Sequence, residues 1–238
     1  MDNNLCKHAA VIPDGNRRWA KNRNLPPWIG HQEGAQTLTK LLQKALDMDL
    51  YCFTFWCASW DNLTKRNEQE VNFLFRIFDE FFRKALDNKE IHGSKVRVQF
   101  LGRWRDIFPK STQEVMENIM EKTKGYDKHY LTFMVAYNGD DEMVDCVKKI
   151  AEQYKDGKIS KIDGGVIKQS LWSKDLPPVD LVIRTGAGGD PHNSAGFMMW
   201  DTAYSQLYFT DILFPDFGPE KFAQAIEDFN QRERRKGA

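Results

Sequence analysis

Residues 50–59 read LYCFTFWCAS. Only Thr54 and Ser59 interrupt a run of apolar and aromatic side chains. A strand with one wet face alternates apolar and polar residues. A continuous run of this length, rich in aromatics, suits a parallel strand covered on both faces. Upstream, HAAVI (8–12) is a second run of the same kind. Between them, GAQTLTKLLQKALDMD (34–49) places Leu38, Leu41, Leu42, Ala45 and Leu46 at helical spacing. The pattern continues downstream. A helix from about Glu68 to Leu86 carries Val71, Leu74, Phe75, Phe78 and Phe82 on one side. KVRVQFLG (95–102) is a strand, STQEVMENIMEKT (111–123) a helix, YLTFMVAY (130–137) a strand, and a helix follows from about Asp141 to Tyr154. VDLVIRT (179–185) and the short SQLYFTD (205–211) are the last strands. A helix from Pro219 to Arg235 ends the series, with proline in its first turn. The alternation predicts an α/β fold: one domain over residues 1–238, with a mostly parallel six-stranded sheet flanked by helices. Residues 155–165 are weakly patterned and read as a loop.

The chain has 238 residues, with 34 lysines and arginines against 34 aspartates and glutamates, so its formal net charge is zero. That balance argues against a general nucleic-acid binder and leaves room for a local basic site. The mean hydropathy of −0.60 and the lack of a long apolar run argue against a transmembrane helix. The start, MDNNLCKHAAVIPDG, lacks the pattern of a signal peptide. The four cysteines show no C-x2-C pairing. Cys52 and Cys57 read as buried free thiols, and a cytoplasmic location is expected.

In open parallel sheets, ligands bind beyond the carboxyl ends of the strands. After the first strand comes PDGNRRWA (13–20). Asp14 can hold a hard cation, and backbone N–H groups with Arg17 and Arg18 can receive phosphate oxygens. A capping aspartate with surface arginines is the competing reading. After the second strand, SWDNLTKR supplies Ser59, Asp61, Asn62 and Arg66, or simply a capped loop. After the fifth strand comes RTGAGGDPHNSAG (184–196), where Arg184 stands at the strand end and glycines permit close backbone approach. The G-x-G-x-x-G spacing of a dinucleotide site is absent, and Gly186, Gly188 and Gly189 alone support a nucleotide or sugar-phosphate enzyme. His31 and His192 read as ligands, bases or structural side chains. Three independent loops with phosphate-compatible groups at one sheet edge point to a diphosphate or polyanion site.

These residues resemble the cis-prenyltransferases, the family of undecaprenyl diphosphate synthase. The resemblance rests on PDGNRRWA, GHQEGA (30–35), ASWDNLTKR (58–66), DLVIRT (180–185), FMMWDTAYSQLYFTDILFPDF (197–217) and RERRKG (232–237). It implies a parallel sheet with a hydrophobic tunnel. It also implies a homodimer, and Mg2+-dependent joining of an allylic prenyl diphosphate to a five-carbon diphosphate. Asp14 matches the essential metal-binding aspartate. Gly15, Asn16, Arg17 and Arg18 match the loop cradling the allylic diphosphate, with Arg17 replacing a frequent glycine. Trp19 and His31 match substrate-pocket residues. Ser59, Asp61 and Asn62 match a Ser-x-Glu-Asn stretch whose asparagine assists proton removal, and Arg66 matches a following arginine. Arg184 matches an arginine for the second diphosphate. Arg235 and Gly237 match a tail that reaches a partner subunit's site.

The departures cluster. His192, Asn193 and Ser194 stand where Arg-x-Ser is usual, Gln206 replaces a second metal-binding glutamate, and Pro27 replaces a common arginine. Loss of a bidentate arginine alters how a diphosphate is held. The acceptor is therefore isopentenyl diphosphate or, with irregular head-to-middle coupling, dimethylallyl diphosphate. The aromatics Phe73, Phe75, Phe78, Phe81, Phe82, Phe53, Phe55 and Trp56 are either ordinary core or tunnel wall. A non-catalytic partner subunit of a heteromeric enzyme is the alternative function. Such subunits lose the catalytic loop and keep the tail, whereas here both stand. No nucleic acid, and at most peripheral membrane contact, is expected.

Overall fold

The computed structural model describes residues 5–232. Its strands are β1 (His8–Ile12), β2 (Cys52–Ala58), β3 (Val96–Leu101), β4 (His129–Val135), β5 (Leu181–Arg184) and β6 (Gln206–Phe209). They form one sheet in the order β3-β4-β2-β1-β5-β6, and every neighbouring pair is parallel. The helices among the described residues are α1 (Asn16–Lys21), α2 (Pro27–Asp47), α3 (Trp60–Thr64), α4 (Glu68–Leu86), α5 (Lys89–Gly93), α6 (Trp104–Ile107), α7 (Lys110–Thr123), α8 (Gly139–Lys155), α9 (Gly164–Ser170) and α10 (Pro219–Gln231). No helix among them is long and apolar enough to cross a membrane. The α/β class and the six strands are those the sequence predicts.

The two-residue period of a strand divides the core. Phe53 and Phe55 of β2 join the main cluster with α2, α4, α7 and α10. Cys52 and Trp56 belong to a second cluster with Tyr137, Phe197 and Met198. All strands being parallel, their carboxyl ends share one edge, and Asp14, Ser59 and Thr185 follow β1, β2 and β5 there.

The helix boundaries differ most from the sequence reading at α2 and α10, while α8 begins two residues early and α9 begins within the stretch read as a loop. α2 begins at Pro27 rather than Gly34. Gly30 and Gly34 weaken a helix in isolation, which hides its first two turns. In the fold, a Cβ on Gly30 would lie 2.0 Å from the Asn16 carbonyl oxygen, and one on Gly34 would lie 2.6 Å from Asn16 Oδ1. The glycines give up helix propensity so that α1 can pack against α2. α10 ends at Gln231, and Arg232 is extended.

The first residue of β1 gives a pH prediction. His8 is fully buried, with Nδ1 2.8 Å from the Pro177 carbonyl and Nε2 2.8 Å from Thr54 Oγ1. Burial holds its pKa down at about 4, against an ordinary 6.5. The folded chain therefore binds fewer protons than the unfolded chain between those values. The imidazole's contribution is intact above pH 6.5 and is lost as pH falls towards 4. The expected loss from this group is about 3 kcal/mol. Denaturant midpoints measured from pH 7 to pH 4 check it, alongside a His8 NMR titration showing a neutral ring at pH 5.

Candidate active site

At the end of β1 the chain turns through Gly15, whose φ of 111° favours glycine, and enters α1. The Asp14 carboxylate does not cap that helix. Its backbone is committed instead: Asp14 N donates to Thr185 Oγ1 at 3.0 Å, and Thr185 Oγ1 donates to the Asp14 carbonyl at 2.9 Å. The carboxylate lies between two guanidinium groups. Arg18 Nη2 is 3.3 Å from Oδ1 and Arg184 Nη2 is 3.2 Å from Oδ2. Asp14 and Arg18 are roughly half exposed, whereas the Arg184 side chain is only 7% exposed. Arg184 Nη1 also donates to the His192 carbonyl at 2.6 Å, and its Nε is buried without a hydrogen-bond partner. Arg18 donates to the carbonyl of Gly186, where a Cβ would lie 2.6 Å from Arg18 Nη2. None of the amide N–H groups of residues 15–18 has an acceptor among the described residues. The strand-end loops after β1 and β5 thus assemble one carboxylate, two arginines and unclaimed amides.

A cation fits this arrangement in one way. No group of three or more His, Cys, Asp or Glu side chains that could hold a metal exists among the described residues. Asp14 offers a single carboxylate, which is how Mg2+ is held when substrate phosphates and waters supply the remaining ligands. Gln206 begins β6, paired with Leu181, while Arg184 at the other end of β5 pairs with Phe209. Gln206 therefore sits about 10 Å down the sheet from the Asp14 edge, and it accepts from Arg232 Nη1 at 3.1 Å. Within one chain it is no neighbour of Asp14.

The other predicted residues divide into groups. His31 Nε2 is 3.1 Å from Glu70 Oε1, which also receives Arg66 Nη1 at 2.9 Å. These hydrogen bonds, the imidazole's first, hold the Glu70 carboxyl below the usual range, while burial lowers the pKa of Arg66. The triad joins α2 to α4. Trp19 turns elsewhere: its Nε1 donates to Asp216 Oδ1 at 2.7 Å, and Arg23 covers its ring at 4.0 Å. Ser59 caps α3 by accepting from Asn62 N at 3.0 Å. Asp61 pairs with Lys65 at the surface. Arg17 is exposed beside an open recess shared with Arg18, Lys21 and Pro27. His192 is half exposed, with Nδ1 3.0 Å from the Asp190 carbonyl, and Asn193 Nδ2 donates to the Phe197 carbonyl at 3.2 Å. Ser194 opens a short 3-10 turn. Arg235 and Gly237 lie outside the described residues.

Sequence reasoning missed Glu70, Thr185 and Asp216. Glu70 lies in the first turn of α4, but Arg66 stands before that helix, so no helical spacing marked the pair. The other two are long-range partners without a local signal.

Two apolar cavities share lining residues, and the smaller lies beside this edge. It is a neck of about 50 Å3, lined by Asn16, His31, Phe55, Phe78, Phe81 and Phe133, among others. Phe81 and Phe133 also line a chamber of about 440 Å3 near the starts of β2, β3 and β4, with Leu46, Phe53, Ile91 and Leu131. The aromatics therefore have different places. Phe81, Phe78 and Phe55 are wall. Phe75 packs on Phe108 with centroids 4.8 Å apart, Phe73 lies near Trp28 in an outer groove, and Trp56 is in the opposite core.

Residues 12–237 match the family model described as "Putative undecaprenyl diphosphate synthase". The chain is 38% identical over 235 residues to the tritrans,polycis-undecaprenyl-diphosphate synthase (geranylgeranyl-diphosphate specific) of Pyrococcus abyssi, covering 98% of this chain and 87% of that one. It is 34% identical to the isoprenyl transferase of Oceanobacillus iheyensis, over 98% of this chain and 91% of the other. The solved structure of lavandulyl diphosphate synthase from Lavandula x intermedia, in complex with dimethylallyl diphosphate, superposes with a TM-score of 0.90 at 27% identity over the whole of both chains.

Proposed function

Because the chain belongs to the undecaprenyl diphosphate synthase family, we propose that it condenses an allylic prenyl diphosphate with isopentenyl diphosphate, using Mg2+, as a homodimer. One observation carries this reading. Asn16 belongs both to the strand-end loop of Asp14 and Arg18 and to the wall of the apolar neck. A charged head and a greasy tail therefore meet at one residue. In this reading the unclaimed amides of residues 15–18, with Arg18, hold the donor's diphosphate, and its hydrocarbon enters the neck past His31 towards Phe81. Asp14 would hold the cation, which would supply Lewis-acid stabilisation of charge on the departing diphosphate. Arg18 and Arg184 add fixed positive charge there, which acts most strongly in a partly dry site. The acceptor's diphosphate lies by Arg184 and residues 192–194. Its double bond attacks the allylic carbon, the carbon–oxygen bond to diphosphate breaks, and a proton passes to a diphosphate oxygen. Asn62 and the His31–Glu70–Arg66 triad orient the reactants.

Supporting the homodimer, Met199, Trp200, Tyr204, Leu207 and Phe209 are exposed in and before edge strand β6. An uncovered sheet edge with large apolar side chains is a pairing surface.

A second reading has dimethylallyl diphosphate as acceptor. It is favoured by His192, which stands where the family usually has an arginine, and by the similarity to lavandulyl diphosphate synthase. Incubating the purified chain alone with Mg2+, a labelled allylic diphosphate and either five-carbon diphosphate separates these readings. Extension by isopentenyl units supports the first, and incorporation of dimethylallyl units alone supports the second. No coupling with either would sink both and leave the partner-subunit alternative, which the named relatives do not support. A chelator is expected to stop turnover in either case.

The two cavities give a further expectation. Phe81 and Phe133 line both neck and chamber, so Phe81→Ala is expected to widen the way from one to the other. Its products should be longer by at least one five-carbon unit, as read by chromatography of the dephosphorylated alcohols. An unchanged product length would show that Phe81 does not limit growth.

A further inference from the structure

The segment after His192 is held in an unfavourable conformation. Ala195, Gly196 and Met198 all have left-handed backbone, with φ of 46°, 60° and 44°. That region disfavours residues bearing a Cβ, and such residues persist where their surroundings over-determine them. The surroundings here are specific. Met198 N donates to Tyr137 Oη at 3.1 Å, and that hydroxyl donates to Glu142 Oε2. Glu142 Oε1 accepts from Ser173 N at 3.0 Å. Tyr137 is fully buried and Glu142 nearly so. The first residue of α8 presses on the same segment: a Cβ on Gly139 would lie 1.8 Å from the Gly196 carbonyl oxygen. At its other end the segment is tied to the candidate site, because the His192 carbonyl accepts from Arg184, which pairs with Asp14.

We propose that Tyr137, anchored by Glu142, is a positioning residue: it fixes residues 192–198 so that they can receive the acceptor's diphosphate beside Arg184. This rests on the reading above, in which that loop belongs to the acceptor. Tyr137 touches no substrate in this arrangement. Its hydroxyl joins the strained segment to a buried carboxylate, so a change in the second core reaches the acceptor half first and the donor half only through the Arg184–Asp14 pair. The donor half, on residues 14–18, is held by Thr185 and the glycines of α2 instead.

Tyr137→Phe removes the hydroxyl and preserves the ring, which packs near Phe197 and Trp172. In the full chain, KM for the five-carbon acceptor should rise roughly tenfold, the scale of losing the buried hydrogen bond from Met198 N that anchors the segment. KM for the allylic donor and kcat should stay within about twofold. Amide hydrogen exchange over residues 194–199 should quicken, while β4 keeps its protection. Equal rises in both KM values would make the role merely structural and overturn the proposal. Unchanged exchange over the segment would overturn it too. The exchange measurement needs no turnover. A wild-type chain that couples no five-carbon unit, together with faster exchange in Tyr137→Phe, would therefore fail the functional reading and the acceptor assignment while upholding Tyr137 as the loop's anchor.

Discussion

Asp14→Ala is expected to lower prenyl transfer about a thousandfold or more, the scale seen when a preorganised charge partner of a departing group is removed. The reason is that no other carboxylate replaces it. Among the described residues no cluster could hold a metal in its absence, and Gln206 lies at the far end of the sheet. The fold should survive. Asp14 does not cap α1, its pair with Arg18 is half exposed, and exposed pairs add little stability. Arg184 keeps its hydrogen bond to the His192 carbonyl. Circular dichroism should therefore resemble the wild type and Tm should fall only by roughly a few degrees, because buried Arg184 loses a half-exposed carboxylate partner, while turnover collapses. Near-normal turnover would remove Asp14 from the chemistry and leave it as an ion-pair partner.

Gly30→Ala should have the largest effect on the fold. The added Cβ would stand 2.0 Å from the Asn16 carbonyl oxygen and 3.3 Å from the Ala20 side chain. The nearest obstacle is backbone, which no rotamer change relieves, so α1 must move away from α2. Overpacking of this kind costs about 3 kcal/mol, or roughly 6–12 °C in Tm for a chain of this size. Because α1 carries Asn16, Arg17 and Arg18, activity should fall together with stability. Gly125→Ala is the matched control: a Cβ there meets nothing within 4 Å. A Gly30→Ala protein that melts and turns over like the control would contradict the packing described for α1.

The sheet was readable because its signal is local. LYCFTFWCAS and HAAVI are apolar without alternation, short and rich in aromatic or β-branched residues, which suits a strand covered on both faces. The strand-end rule then directed attention to Asp14, Arg18 and Arg184, and the fold brings both guanidinium groups within 3.3 Å of the Asp14 carboxylate. What escaped was non-local. The first turns of α2 contain glycines that propensity rejects and packing requires. Trp19 finds Asp216 nearly two hundred residues away, and Thr185 brackets the Asp14 backbone from another strand. Gln206 is adjacent in the motif and distant in space, because parallel register places the start of β6 at the opposite edge. The aromatic helix α4 was ambiguous for a similar reason. Its period gives the inward side, but whether an inward phenylalanine meets another ring or a void depends on β4, whose Phe133 closes the neck with Phe81.

The central claim is that one strand-end cradle holds a diphosphate whose hydrocarbon runs down the neck past Phe81. A crystal structure of the chain with Mg2+ and an unreactive thiolo analogue of an allylic diphosphate tests it most directly. The account predicts the diphosphate on the amides of residues 15–18 with Arg18, the cation on Asp14, and the tail between Phe78 and Phe81. A diphosphate seated in the outer recess of Arg17 and Lys21, or a tail lying outside the neck, would contradict it.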